Sequence, residues 1–234
     1  MKKASYLFSA MLMVACFTQP VSAQFEGQIT YESYEFEGDE KQKTDEFALF
    51  ITPERILLQG EKQYQFMDAI ETEGVLVRLD FEDFVFLTGE DNVLKISKMD
   101  ITSFMNMVSG ESDTQEMEKQ TENINYERTG ETQTIRGYDS EKCIFRDDSD
   151  RTEYMAVWMT KDIDVNWGML AEPWGGDVKA IINNFPMKLI FEENYFPIRT
   201  ENYDDNELKS VIEATDINES SVARAMVNIP SGVK

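Results

Sequence analysis

Apolar side chains recur at every second position in short runs through most of this sequence, and turn-forming residues separate the runs. That period is the pleat of a β-strand, where alternate side chains point to opposite faces. Phe25, Ile29 and Tyr31 fall on one face; the pattern then shifts to Tyr34 and Phe36, which predicts a bulge near Ser33. Phe47, Leu49 and Ile51 alternate, Thr52-Pro53-Glu54-Arg55 turns the chain, and Ile56 to Leu58 returns. Val75, Val77, Leu79 and Phe81 alternate, and Phe84 to Leu87 is apolar on both faces. After the turn Gly89-Glu90-Asp91-Asn92, Leu94 and Ile96 resume the alternation. Such a run is an antiparallel meander. Further strands are expected at 142–146, 153–160, 187–192, 195–202 and 208–215, the last favoured by Val211, Ile212 and Thr215.

Two segments change period. Ile101, Phe104, Met105 and Val108 follow helical spacing behind Asp100 as cap. Val178, Ile181, Ile182 and Phe185 repeat that spacing behind Asp177, and Pro186 ends it. Strands and helices do not alternate, which argues against a parallel sheet. The expected fold is mainly β (α+β): one curved antiparallel sheet with a few short helices over its concave face. Between the helices, residues 109–125 carry only Met117 and Ile124 as large apolar groups. They bury too little to offset their ordering entropy, so a mobile acidic loop is expected there.

Residues 1–23 have the three parts of a secretory signal. Lys2 and Lys3 supply the positive start, and Tyr6 to Phe17 a mostly apolar run too short to span a membrane. Pro20 breaks any helix, and Val21-Ser22-Ala23 offers the small residues of a cleavage site. The exported chain would then be a single β-rich domain, 24–234, in the periplasm or cell envelope, with no membrane-spanning helix. A second reading takes Met13-Val14-Ala15-Cys16 as a degenerate lipobox and Cys16 as the acylated residue of an outer-membrane lipoprotein.

Charge and missing residue types narrow the chemistry. The chain carries 45 acidic and 22 basic residues, a formal net charge of −23, and the leader would take two lysines with it. Such a surface repels nucleic acid and anionic membranes, and leaves a basic protein as a possible partner. There is no histidine, which removes imidazole-based nucleophilic catalysis and the usual zinc sites. Asp80 and Asp83 flank Phe81 and read as the bracket of a hairpin rather than an acid–base pair. Asp147-Asp148-Ser149-Asp150 lacks the glycine and distal Glu of a calcium loop and reads as an acidic turn. No catalytic residue, metal ligand or cofactor is expected. Cys143 sits in a strand pattern beside Ile144 and Phe145 as a buried thiol.

One feature points to a ligand. The chain has 13 Met, three Trp and 15 Phe. Several cluster where helix meets sheet: Phe104, Met105, Met107, Trp158, Met159, Trp167, Met169 and Trp174. Methionine adapts to flexible apolar partners. An apolar cavity is expected, with Phe104, Met105, Trp158, Trp167, Trp174 and Phe185 as candidate lining residues; ordinary core is the competing reading.

Four segments carry a family resemblance. Phe25-Glu26-Gly27-Gln28-Ile29-Thr30-Tyr31-Glu32 resembles the opening strand of an uncharacterised exported bacterial domain of unknown function. Thr129 to Tyr138, with Lys142 and then Trp158-Met159-Thr160-Lys161-Asp162-Ile163, is similar to its central signature. Phe185-Pro186-Met187-Lys188 resembles its turn into a late strand, and Asn228-Ile229-Pro230-Ser231-Gly232-Val233 its closing segment, where Val233 stands in place of a frequent Tyr. The family often has a Cys soon after the Gly-Tyr pair; here Ser140 stands near that place and Cys143 follows. That family in turn resembles the periplasmic lipoprotein carriers LolA and LolB. The resemblance implies an unclosed antiparallel half-barrel whose open side is plugged by helices, with a cavity suited to acyl chains. The expectation is a non-enzymatic envelope protein that binds a lipid or an acylated protein. A structural module with a filled core, binding partners through its acidic surface, is the alternative.

Overall fold

A computed structural model describes residues 24–38, 40–66, 70–89, 92–101, 103, 124–147, 150–171 and 187–229. Among the described residues eleven strands follow one another: β1 (Gly27–Glu37), β2 (Glu40–Ile51), β3 (Arg55–Phe66), β4 (Ile70–Arg78), β5 (Asp83–Leu87), β6 (Val93–Ser97), β7 (Ile124–Ile135), β8 (Tyr138–Asp147), β9 (Asp150–Thr160), β10 (Phe196–Asp204) and β11 (Glu207–Asn218). All lie in one antiparallel sheet of order β6-β5-β4-β3-β2-β1-β11-β10-β9-β8-β7. Two meanders, β1–β6 and β7–β11, join where β1 pairs with β11. β6 and β7 are the two edges, so the sheet is not closed into a barrel.

The turns are those the residues favour. Thr52 N–H donates to the Arg55 carbonyl oxygen at 2.8 Å, and the Thr52 hydroxyl accepts from Arg55 N–H at 3.0 Å. Thr88 N–H donates to the Asn92 carbonyl oxygen at 3.1 Å and closes the β5–β6 hairpin. The expected bulge is present: the β1–β2 register shifts between Ser33 and Tyr34. β8 ends at Asp147 and β9 begins at Asp150, and these two residues pair; residues 148–149 between them lie outside the described residues.

Four expectations are corrected. Residues 187–192 were expected as strand, but Met187–Phe191 is a helix. β4 ends at Arg78, so Phe81 lies in the turn and is exposed rather than on a strand face. The loop expected over 109–125 lies outside the described residues as far as 123, but Ile124 and Asn125 open β7 and pair with Asp147 and Arg146. Of the helix expected from Asp100, residues 98–101 are helical. Its cap is Ser97: the Ser97 hydroxyl accepts from Asp100 N–H at 3.1 Å and donates to the Asp100 carboxylate at 2.7 Å. The helix expected over 177–186 lies outside the described residues.

The sheet is apolar on both faces at its β2–β5 end. On one face Ile29, Ile51, Ile56, Val77, Phe84 and Phe86 form a cluster covered by Ile101, Ile163, Val165 and Met169. On the other, Phe50, Leu57, Leu76 and Val85 pack beneath Val222, Val227 and Ile229 of the C-terminal segment. Phe84, Val85 and Phe86 are consecutive and all buried, which explains a strand apolar at every position.

Candidate ligand-binding face

The helix-bearing face continues past β1 towards β7. On β8 and β9, Cys143, Phe145, Val157 and Met159 point to it and pack against Leu189 and Ile190 of the short helix and against Tyr195. Trp167 joins the two clusters. It packs against both, lying edge-on to Phe191 with ring centroids 5.5 Å apart and stacked on Phe196 at 6.2 Å. Such ring pairs stabilise beyond their buried area by about 0.5–1.5 kcal/mol each.

Local sequence holds Trp167 there. Asn166 Nδ2 donates to the Pro53 carbonyl oxygen at 2.7 Å, and Asn166 Oδ1 accepts from Gly168 N–H at 3.0 Å. Gly168 has φ +45°, and a side chain there would meet Leu79 at 3.0 Å. The glycine thus lets the loop lie against β4's end while the 3-10 turn Gly168–Leu170 sends Met169 into the core.

The structure separates residues the sequence places together. Trp167 belongs to this layer. Trp158 alternates with Val157 and Met159 and therefore points to the opposite face. There it is buried, with the Lys142 ammonium 5.5 Å from its ring centroid and Arg199 opposite it in register. Arg199 and its neighbours carry the ion pairs Arg199–Glu201, Arg199–Glu213, Lys41–Glu213 and Lys43–Glu32, so that face is charged. Cys16, Phe104, Met105, Trp174 and Phe185 lie outside the described residues. Phe191 and Phe196 were missed as members of the layer; their signal was their position either side of the polar turn Glu192-Glu193-Asn194.

Two clefts of mixed polar and apolar lining open on the surface. One, of about 460 Å³, lies over the ends of β7, β8 and β9 and is lined by Thr132, Ser140, Glu141, Lys161, Asp162 and Tyr195 among others. The Tyr195 hydroxyl donates to Glu141 at 3.0 Å and accepts from Arg128 at 3.1 Å. Burial, then the Glu141 carboxylate, raises the Tyr195 pKa, and burial pushes the Cys143 thiol up to about 11. Much of the family-like segment from Thr129 to Ile163 folds into this region. The other cleft, of about 500 Å³, separates the Thr52–Arg55 turn from residues 221–228. Among the described residues no group of three or more His, Cys, Asp or Glu is placed to hold a metal ion, and no helix is long and apolar enough to cross a membrane.

Comparison with known proteins places the sequence. Residues 86–233, more than half the chain, match the family described as Domain of unknown function (DUF4412). No curated protein matches. Among solved structures, the chain is similar to PNGF-II at 15% identity and TM-score 0.46, covering 88% of this chain and 30% of that one. It is similar to the MucA/MucB complex of Pseudomonas aeruginosa at 8% identity and TM-score 0.44, covering 91% and 58%. A candidate outer membrane lipoprotein-sorting protein domain from Vibrio parahaemolyticus matches at 10% identity and TM-score 0.23, covering 87% and 89%. The chain thus spans about a third of PNGF-II and under three fifths of the MucB chain.

Proposed function

The chain belongs to the DUF4412 family, a domain of unknown function, and we propose that it is a non-enzymatic binding protein of the cell envelope that holds a lipid acyl chain against the helix-bearing face of its sheet. The observation that carries this reading is Trp167: it joins two apolar clusters into one layer on one face of a sheet that does not close. An acyl chain laid along that layer would gain roughly 0.8 kcal/mol for each methylene removed from water. The leader-like residues 1–23 support export.

Native mass spectrometry of protein purified from its own host envelope tests the reading. The expected result is extra mass, retained under gentle conditions and lost on organic extraction. Intact mass also separates a chain starting at Gln24 from one acylated at Cys16. Trp167→Asp should lose the extra mass while keeping the β circular-dichroism signal. A wild-type mass equal to the bare polypeptide would overturn the proposal and turn attention to basic protein partners of the acidic surface. Unchanged retention in Trp167→Asp would overturn the assignment to this layer.

A further inference from the structure

We propose that Phe81 and Met99 form a docking tip for a zwitterionic phospholipid bilayer at the rim of the apolar layer; this rests on the reading that the layer holds an acyl chain. Phe81 is 59% exposed and Met99 80%. Soluble proteins expose single apolar residues routinely, so exposure alone decides nothing. Placement does. Lys98 N–H donates to the Glu82 carbonyl oxygen at 3.1 Å, which brings the two carrying segments side by side. In each, the residue two positions away faces inward: Leu79 packs on the core cluster, and Ile101 is buried in it. The same two segments therefore wall the layer with one side chain and present another to the outside.

The exposed ring is held in place. The Arg78 guanidinium lies 4.3 Å from the Phe81 centroid and that of Arg55 at 5.7 Å. Arg78 Nε donates to Asp83 at 2.7 Å, and Arg55 Nη2 to Asp80 at 2.9 Å. An aromatic body framed by paired charges suits the boundary between headgroups and acyl chains. Charge also selects the surface. The tip sets Arg55, Arg78 and Lys98 among Glu54, Asp80, Glu82, Asp83 and Asp100, fixed charges of both signs at close quarters in a chain of net charge −23. Alternating fixed charges of both signs match a headgroup that carries both, while the remainder of the chain would be repelled by an anionic membrane.

The test is flotation of the exported protein with phosphatidylcholine vesicles, beside Phe81→Ser/Met99→Ser, Phe81→Leu/Met99→Leu, and Tyr126→Ser on the far edge strand as control. The Ser pair is expected to lower the vesicle-bound fraction at least about tenfold, while the Leu pair and the Tyr126 variant bind like wild type. No vesicle binding by wild type, or equal binding by the Ser pair, overturns the tip. If the Ser pair instead abolishes a self-association seen without lipid, the patch is a protein contact and the lipid surface is overturned. Mass spectrometry of the same samples separates the two claims. Retained lipid in a Ser pair that no longer floats leaves the acyl-chain reading standing with the tip confirmed. Tip-dependent flotation without any retained lipid overturns that reading alone.

Discussion

Arg55 on β3 donates through Nη1 to the backbone carbonyl oxygen of Val227, 3.0 Å away and 172 residues distant in sequence. The same nitrogen reaches the Asn228 side chain, and Nη2 pairs with Asp80 at 2.9 Å. One guanidinium thus clamps the C-terminal segment over Phe50, Leu57, Leu76 and Val85. Arg55→Ala should cost about 1.5–3 kcal/mol, the range for charge-assisted hydrogen bonds. Hydrogen exchange should rise in residues 221–229 before the rest of the sheet. Arg55→Lys should fall between, because an ammonium lacks the planar fork that serves both partners. Unchanged exchange in that segment would show that apolar contact alone holds it.

Gly27 stands where β1 meets β11. A Cβ there would lie 2.2 Å from the Asn218 carbonyl oxygen and 2.9 Å from the Phe25 ring. Gly27→Ala must push apart the pair that joins the two meanders, so a loss of about 1–3 kcal/mol is expected. For a chain of this length that lowers the melting temperature by roughly 2–4 °C per kcal/mol. Gly38→Ala, whose Cβ would meet nothing within 4 Å, tests the opposite case: its φ of +62° makes any loss one of backbone strain, without disturbance of the β1–β11 pair.

The contrast between β2 and β7 explains what the residues foretell. Phe47, Leu49 and Ile51 alternate because they pack into one apolar cluster, while Ala48 and Phe50 between them turn to the cluster on the other face, so that strand is legible. β7 runs through Glu127, Arg128, Thr129, Gly130 and Glu131 on a sheet edge, mostly exposed, and no burial imposes a pattern. Met187–Phe191 is five residues long, too short for a period of two to be told from 3.6, and it was read as strand. Trp158 and Met159 are adjacent in sequence, so they seemed one cluster; the pleat sends them to opposite faces. The cover supplied by Val222, Val227 and Ile229 comes from an irregular segment without any period to read.

Cys143 is fully buried between Phe145 and Val157, and burial pushes its thiol up to about 11. At about pH 8 an ordinary thiol with pKa near 8.5 is roughly a quarter ionised, whereas Cys143 should be thiolate in about one molecule per thousand. A disulfide-exchange reagent should label native protein only as fast as the sheet opens, and label one thiol of the exported chain at once in denaturant. Rapid labelling of the native protein would place Cys143 in contact with solvent.

Alkaline pH should destabilise the fold through its tyrosines. Burial, reinforced by the Glu201 carboxylate that its hydroxyl reaches at 3.0 Å, pushes Tyr203 up to about 12. Tyr64 and Tyr138 are likewise raised to about 12, by burial first and then by Asp45 and Glu219. Tyr31, wholly buried and donating to the Pro197 carbonyl oxygen at 2.7 Å, is raised further. In the unfolded chain these phenols ionise near pH 10, while in the folded chain they keep their protons. Between those limits the folded state binds more protons, so stability falls as pH rises. The contribution is present in full below about pH 10 and is lost progressively towards about 12. Phenolate absorbance should therefore rise late and together with loss of the circular-dichroism signal. Tyr203→Phe should remove about one proton from the slope of stability against pH in that window, while leaving stability at neutral pH lower only by the lost Glu201 contact. If the native protein titrates its tyrosines near pH 10 without unfolding, the hydroxyls are not shielded as the sheet places them.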